Sequence, residues 1–195
     1  MASSNVSTIA LQGIETVAVD AQVHISHGTH SFNIVGLADK AVAESKERVR
    51  SALSAIGMAL PPEHITVNLA PADLAKEGAH FDLPIAIALL IAMRVIDQQT
   101  INNHIIVGEL ALDGKISPVS GILPIAISAN KQNKTIICPQ ANGDEALWAN
   151  KNMDIIAADN LINLINHLKG TKLLAAPQMK VIYSDQQQQA DMNEV

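Results

Sequence analysis

The sequence predicts a mixed α/β domain, an α+β fold of two layers with a mixed sheet, and three observations lead to this prediction. The chain has 195 residues, of which 48% are apolar, and this is sufficient for one well-filled core. The apolar residues are nearly all aliphatic, because aromatic residues make up only 2% of the chain. Period-two and helical apolar patterns follow one another along the sequence, as expected when helices pack on a sheet.

Eight segments have the apolar pattern of β-strands. In the second, every other residue from Val17 to Ile25 is apolar, so one face of that strand should be buried. Asp113-Gly114 is a strong two-residue turn signal, and it predicts that the fifth and sixth segments form a hairpin. The predicted strands are residues 8–11, 15–25, 32–35, 65–69, 105–112, 115–119, 135–138 and 154–157.

Five further segments are predicted to be helices. The first begins after Asp39, a favourable N-cap, and ends at Gly57, with an apolar stripe from Val42 to Ile56. The second has almost no polar face and is expected to be buried, and Pro124 lies in the first turn of the third. The predicted helices are residues 40–56, 82–93, 122–130, 143–149 and 159–168.

Residues 1–174 are predicted to form one domain and residues 175–195 a polar linker. The apolar periodicity is lost from Ala175, and the chain ends in the Gln-rich stretch SDQQQQADMNEV. The N-terminus has neither a basic start nor a long apolar run, so no signal peptide is expected. The apolar run 83–93 is too short to span a bilayer, and a single cysteine excludes an internal disulfide. A cytoplasmic location is therefore expected.

The net charge argues against a protein that binds nucleic acid strongly through the phosphate backbone. The chain has 13 basic and 19 acidic residues, which gives −6 overall. Lys180 and the three acidic residues beyond residue 174 account for −2, so residues 1–174 carry −4. Strong phosphate binding needs an excess of Lys and Arg on one surface. The few aromatic side chains also offer no stacking platform for single strands.

The motifs for nucleotide hydrolysis, metal binding or a cysteine nucleophile are absent or poorly placed. The sequence has no GxxxxGK[ST] motif, so this chain lacks a phosphate loop. A metal on His24, His27 and His30 is disfavoured, because on a strand and turn His27 faces away from the other two. Cys138 lies in an apolar strand with no His or Lys close in sequence, which favours a buried small hydrophobe.

Charged side chains in two places are candidates for contact with a partner or with DNA. In the first helix, basic residues could contact phosphates, but interleaved acidic residues favour an ordinary solvated face. In the polar loop before the second helix, carboxylates could hold Mg²⁺ or act as acid and base, although helix caps and local ion pairs are commoner roles. The candidates are Lys46, Arg48, Arg50, Asp73, Lys76, Glu77, His80 and Asp82.

Three separated blocks of sequence resemble one protein family. They are GLADKAVAESKERVRSAL at 36–53, ITVNLAPADLAKEGAHFDLPIAIALL at 65–90 and VGELALDGKISPVSGILPIAISA at 107–129. In this order they resemble the N-terminal domain of bacterial magnesium-chelatase-related AAA+ proteins, the competence-associated ComM/YifB group. The similarity covers residues 9–169. It implies a fold similar to the proteolytic domain of Lon and to the second domain of ribosomal small-subunit protein five.

The resemblance also implies a role for the whole protein. In this family the domain leads into an ATPase module, which would bind ATP and Mg²⁺, and the tail ADMNEV resembles the segment before it. The module implies a homo-oligomeric ring that acts as a helicase in branch migration during natural transformation and recombination. The expected partners are that module, neighbouring subunits and, for the whole protein, DNA; no membrane and no cofactor are expected for this chain.

Two departures from related proteins bear on catalysis and on DNA binding. Residues 82–86 match the DGPSAG motif of Lon with Ile85 at the serine position, and Leu123 stands at the position of the activating lysine. Neither side chain can attack or accept a proton, and both are expected to add to the core. Family members commonly carry arginine at the positions of Ala43, His80, Ser117 and Ser120, so weak DNA binding is expected.

The resemblance therefore implies a non-catalytic module, with no catalytic residue, that serves assembly or substrate engagement. The alternative is a hydrolase or metal-chelatase subunit that uses the loop of residues 73–82.

Overall fold

The computed structural model describes residues 2–178, and the N-terminal half of this range contains a four-stranded mixed sheet. Strands β1 (Ala2–Gln12) and β2 (Glu15–Ser26) form a long antiparallel hairpin. Strand β3 (Ser31–Val35) lies parallel to β4 (His64–Ala70), which pairs antiparallel with β2. The order across the sheet is therefore β1-β2-β4-β3, with β1 and β3 at its edges.

The two faces of this sheet differ because side chains alternate along each strand. On one face Val19, Val23 and Val67 are buried in the main apolar core. The other face carries the exposed side chains of Asn5 and Gln22. The sheet thus has one packed face and a second face that is polar and open around Asn5 and Gln22, although Ile9 on that face is buried against the C-terminal half of the domain.

Two helices cover the packed face. Helix α1 (Lys40–Ala55) is capped by Asp39, whose side chain accepts a hydrogen bond from the Val42 N–H at 2.7 Å. Helix α2 (Asp82–Ala92) follows a 3₁₀ turn, and all of its residues are buried. This burial explains why the sequence of α2 has no polar face.

The C-terminal half of the described range contains a second sheet, formed by strands β5 (His104–Ile106), β8 (Thr135–Pro139) and β9 (Ile155–Ala158). The three strands are parallel, and their order across the sheet is β5-β8-β9. A small hairpin is formed by β6 (Glu109–Leu110) and β7 (Ile116–Ser117). A second apolar cluster lies on one face of this sheet, whereas Ile106, Ile137 and Ala158 on the other face belong to the main core. The remaining helices are α3 (Gln98–Ile101), α4 (Ile122–Lys131), α5 (Gly143–Ala146) and α6 (Leu161–Leu168).

The predicted α+β architecture with a mixed sheet is confirmed, but the predicted strand over residues 105–112 is wrong in its extent. Strand β5 joins β8 in the parallel sheet, and β6 alone pairs with β7. The break lies at Gly108, whose N–H donates to the His80 carbonyl at 3.0 Å and whose carbonyl accepts the Leu83 N–H at 2.9 Å. These bonds to the start of α2 replace strand pairing at this point.

Several other boundaries also differ from the prediction, and helix α3 was not predicted. Strand β1 begins at Ala2 instead of residue 8: Ser3, Asn5 and Ser7 lie on the open face of the sheet, and the buried Ser4 hydroxyl donates to the Ala88 carbonyl of α2 at 2.6 Å. Helix α5 ends at Ala146, three residues early. Helix α6 begins at Leu161 instead of residue 159, because the Asn160 side chain caps it by accepting the Asn163 N–H at 2.8 Å.

Contacts with the body of the domain continue past residue 174. The Leu174 N–H donates to Nδ1 of His167 at 2.9 Å, and Pro177 lies against Gly143. The domain boundary at 174 remains a prediction, and most of the predicted linker, residues 179–195, lies outside the described residues.

Trp148, just after α5, is 68% exposed. Among residues 2–178 no helix has the length and apolar character needed to cross a membrane.

Candidate functional site

The loop between β4 and α2, residues 71–81, is fastened to the start of α1 by Asp39. One carboxylate oxygen of Asp39 caps α1, and the other accepts the Gly78 N–H at 3.3 Å. The backbone of Lys76 bonds on both sides, donating to the Leu37 carbonyl at 3.2 Å and accepting the Asp39 N–H at 3.0 Å. The loop therefore has a fixed path at the N-terminal ends of both helices.

Arg48 and Asp82 form a bidentate ion pair behind this loop. Nε of Arg48 donates to Oδ2 of Asp82 at 2.6 Å, and Nη2 donates to Oδ1 at 3.0 Å. The Leu110 N–H also donates to Oδ2 of Asp82, at 3.1 Å. Nη2 of Arg48 has further acceptors in the Ala41 carbonyl at 2.9 Å and the Ser45 hydroxyl at 3.3 Å. The pair thus connects α1, α2 and β6.

The burial of this pair gives it a structural role. The Asp82 side chain has no exposed surface and the Arg48 side chain is 20% exposed. The hydrogen bond to Asp82 raises the pKa of Arg48, although burial acts in the opposite direction. Asp82 also lies in the first turn of α2, where a negative charge is favoured by the helix dipole. Both residues were predicted as contact candidates; in this arrangement their polar atoms are bound to each other.

Lys76 is also turned inward, although its place in a polar loop predicted an exposed candidate for contact with a partner. Its side chain is fully buried, and Nζ donates to the Pro71 carbonyl. Burial lowers the pKa of this lysine, and the charge of Asp73 offsets part of that effect. Lys76 therefore holds the loop in its path and presents no exposed charge to a partner.

His80 bridges the loop to the first sheet. Its Nε2 lies 3.1 Å from the Ile9 carbonyl, which can only accept, so Nε2 carries the proton. Its ring packs on Phe81 with the centroids 4.1 Å apart. Burial lowers the pKa of His80 below its ordinary value. His80 is thus a neutral, half-buried donor that ties the loop to β1.

Four of the eight candidates remain accessible: Lys46, Arg50, Asp73 and Glu77 are exposed. Arg50 lies 4.0 Å from Glu47, a weak surface ion pair. Within residues 2–178 Lys46 forms no ion pair. The structure therefore separates the candidates into an inner group that organises the loop and an outer group that faces solvent.

The carboxylates of the loop do not meet at one point. Asp82 is turned into the interior, where Arg48 and the Leu110 N–H occupy its oxygens, whereas Asp73 and Glu77 face solvent. Among residues 2–178, no three His, Cys, Asp or Glu side chains group together in a way that suits a metal ion. The residues present therefore do not fit a Mg²⁺ site at this loop.

The three histidines considered from sequence are all exposed at one end of the first sheet. His27 pairs with Glu63 at 3.0 Å, and His24 and His30 lie in a strand and a turn. Burial raises the pKa of the Cys138 thiol to about 12, so it stays protonated at neutral pH.

The two residues at the Lon serine and lysine positions have different surroundings. Ile85 is fully buried in the main core, as predicted. Leu123 is half-buried and belongs to neither apolar cluster, so the prediction that it adds to the core is wrong. Among residues 2–178, no hydrogen bond joins a serine to a lysine.

A groove of about 720 Å³ lies elsewhere, on the open face of the first sheet, and sequence reasoning missed it. Its lining is polar and almost uncharged, and includes Asn5, Gln22, His24, Asn68 and Gln98. The Asn68 side chain donates to that of Gln22 at 3.0 Å. The alternation of small polar residues along β1 was the signal available in the sequence.

Comparison with known families matches residues 21–142 to subunit ChlI of Mg-chelatase. This range covers more than half of the chain and contains Arg48, Asp82 and the whole loop of residues 71–81. The chain belongs to the Mg-chelatase ChlI family. The magnesium-chelatase-related assignment made from the sequence blocks is confirmed.

Curated relatives of this ChlI-family chain include proteins of three bacteria. The chain is 39% identical over 165 residues to competence protein ComM of Haemophilus influenzae, covering 85% of the chain and 32% of ComM. It is 40% identical over 177 residues to the uncharacterized protein YifB of Escherichia coli, covering 91% and 35%. It is 32% identical over 176 residues to the uncharacterized protein Mb2921c of Mycobacterium bovis, covering 90% and 35%. The chain thus spans about one third of the length of these relatives.

Proposed function

We propose that this chain is a non-catalytic module of a Mg-chelatase-like ATPase that acts on DNA in natural transformation and recombination. In this proposal the module serves ring assembly or substrate engagement in the cytoplasm. ATP and Mg²⁺ would bind to a part of the whole protein that this chain lacks, and that part would provide the helicase activity for branch migration. The support for the DNA role is the similarity to a relative named competence protein ComM.

The main support for a non-catalytic role is that the Asp82 carboxylate is buried and fully hydrogen-bonded. A general acid or base must have an accessible oxygen within reach of the substrate. The oxygens of Asp82 accept three hydrogen bonds from Arg48 and Leu110, and no part of its side chain is exposed. The position matched to the Lon serine holds Ile85, which has no nucleophilic atom.

The exposed face of α1 is the surface we propose for contact with DNA or with a neighbouring subunit. Lys46 and Arg50 lie on this helix and extend into solvent. Arg48 does not belong to this surface, because its guanidinium is held by Asp82. A test of the surface must therefore leave Arg48 unchanged, so that loss of binding is not confused with loss of the fold.

The test uses the whole protein that carries this chain. The variant Lys46→Glu/Arg50→Glu should weaken DNA binding measured by fluorescence anisotropy, ring formation measured by sedimentation with ATP, or both. The matched control Lys131→Glu/Lys134→Glu makes the same charge change at the end of α4. If the two variants behave alike in both measurements, the assignment of α1 is wrong.

A hydrolase or a metal-chelatase subunit that uses the loop of residues 73–82 is the second candidate, because the matching family is named for Mg-chelatase. Asp73 and Glu77 are the exposed carboxylates of that loop. Peptide hydrolysis or magnesium insertion that is abolished in Asp73→Asn/Glu77→Gln would establish this candidate and refute the non-catalytic proposal.

A further inference from the structure

The two edges of the four-stranded sheet are protected to different degrees. At the β1 edge, the Gln98 side chain imitates a neighbouring strand: its Oε1 accepts the Asn5 N–H at 3.1 Å and its Nε2 donates to the Asn5 carbonyl at 2.8 Å. At the β3 edge, within residues 2–178, the backbone hydrogen bonds of β3 go to β4 and its adjoining residue Glu63. Within residues 2–178 no side chain bonds to the backbone of β3, so its outward-facing groups lack the protection that Gln98 gives to Asn5.

The outward-facing backbone groups of β3 belong to Phe32 and Ile34. The Ser31 N–H donates to the Glu63 carbonyl at 3.4 Å, so the backbone of Ser31 points towards β4. Backbone groups of successive residues in a strand point to opposite sides. The N–H and C=O groups of Phe32 and Ile34 consequently point away from the sheet.

The side chains of this edge carry none of the features that usually prevent strand addition. Natural edge strands are commonly blunted by charged residues, proline or a bulge. The segment Ser31–Val35 contains no charged residue and no proline. Val35 is 47% exposed and Leu37, two residues beyond the strand, is 61% exposed. The edge is thus uncharged, partly apolar and open.

We propose that β3 pairs antiparallel with β3 of a second copy of this chain, across a twofold axis at Asn33. In this register Phe32 of one copy faces Ile34 of the other, and both residues have outward-facing backbone groups. The two symmetry-related pairs form four hydrogen bonds and join the two sheets into one of eight strands. The proposal does not depend on the proposed function.

The sequence of β3 fits itself in this register. Asn33 is exposed and would face its own copy, where one amide can donate to the other. Ser31 would face Val35, and no position brings like charges together. A second copy therefore satisfies the whole edge, whereas an unrelated peptide would have to supply a matching uncharged strand.

The experiment measures the oligomeric state of the 195-residue chain by sedimentation equilibrium over a range of concentrations. The unmodified chain should show a monomer–dimer equilibrium. Asn33→Lys and Asn33→Asp should each weaken the dimer about fivefold, because like charges then face each other at the axis. An equimolar mixture of the two variants should recover the dimer, since opposite charges face each other.

The matched control is Val35→Lys, which adds the same charge on the same exposed face but opposite Ser31 of the other copy. It should weaken the dimer less than Asn33→Lys does. Far-UV circular dichroism should show that all variants fold, because residues 33 and 35 are exposed. A chain that stays monomeric at every concentration overturns the proposal. If Asn33→Lys leaves the dimer dissociation constant unchanged, or if the mixture of Asn33→Lys and Asn33→Asp does not restore dimerisation, the twofold register is wrong and another interface forms the dimer.

Discussion

The ion pair between Arg48 and Asp82 leads to a quantitative prediction about stability. Removing one member of a buried pair typically costs about 3–5 kcal/mol, because the remaining charge is left without compensation. The loss of stability in Arg48→Met should lie at the upper end of that range, since the unpaired Asp82 carboxylate has no access to water. Asp82→Leu should lie at the lower end, because the Arg48 side chain is 20% exposed and keeps its bond to the Ala41 carbonyl.

The double variant Arg48→Met/Asp82→Leu separates the ion pair from simple packing. With both charges removed, the main remaining cost is the buried Leu110 N–H without its acceptor, about 1–3 kcal/mol. The double variant should therefore be more stable than either single variant. If the two side chains contributed independently to stability, the double variant would instead be less stable than either single variant.

The assay is urea unfolding followed by far-UV circular dichroism, with thermal unfolding as a second measurement. A loss of about 3 kcal/mol should lower the melting temperature by roughly 6–12 °C for a chain of this size. Arg50→Met, which removes a weak surface pair with Glu47, is the control and should change stability by less than about 0.5 kcal/mol. Single variants that each cost below about 1 kcal/mol, as exposed pairs do, would refute the reasoning.

Two other predictions concern titratable groups. Because burial lowers the pKa of His80, the unfolded chain binds more protons below about pH 6.5, and stability should fall as the pH falls from there. His80→Gln retains a donor for the Ile9 carbonyl and should make the urea unfolding midpoint depend less on pH. If the midpoint of this variant varies with pH as steeply as that of the unmodified chain, the prediction is wrong. The Cys138 thiol should react with a disulfide reagent far more slowly in the native protein than in urea, and rapid native reaction would contradict its burial.

Local sequence patterns predicted the individual strands and helices well, because each depends on neighbouring residues. The Asp39 cap of α1 and the turn at Asp113-Gly114 are of this kind. The division of the predicted strand 105–112 was not predictable in this way. It depends on Gly108 meeting Leu83 and His80, which lie more than twenty residues earlier in the chain.

The candidate site was likewise predictable where it depends on local sequence and unpredictable where it depends on residues far apart in the chain. The composition of the loop before α2 identified a charged segment whose side chains were candidates for contact with a partner, for helix caps or for local ion pairs, but it did not indicate which charges turn inward. Asp82 turns inward, because Arg48, 34 residues earlier, supplies a matching guanidinium. Lys76 is buried because the loop folds back over its own Pro71 carbonyl. Such long-range pairs leave no periodic signal in the sequence.

The position of Trp148 has a practical consequence. It is the single tryptophan of the chain and most of its indole is already in water, so its emission should change little when the domain unfolds. A partner that covers α5 would transfer the ring to a less polar environment and shift its emission to the blue. The native chain thus contains a chromophore for monitoring association at this side of the domain without a label.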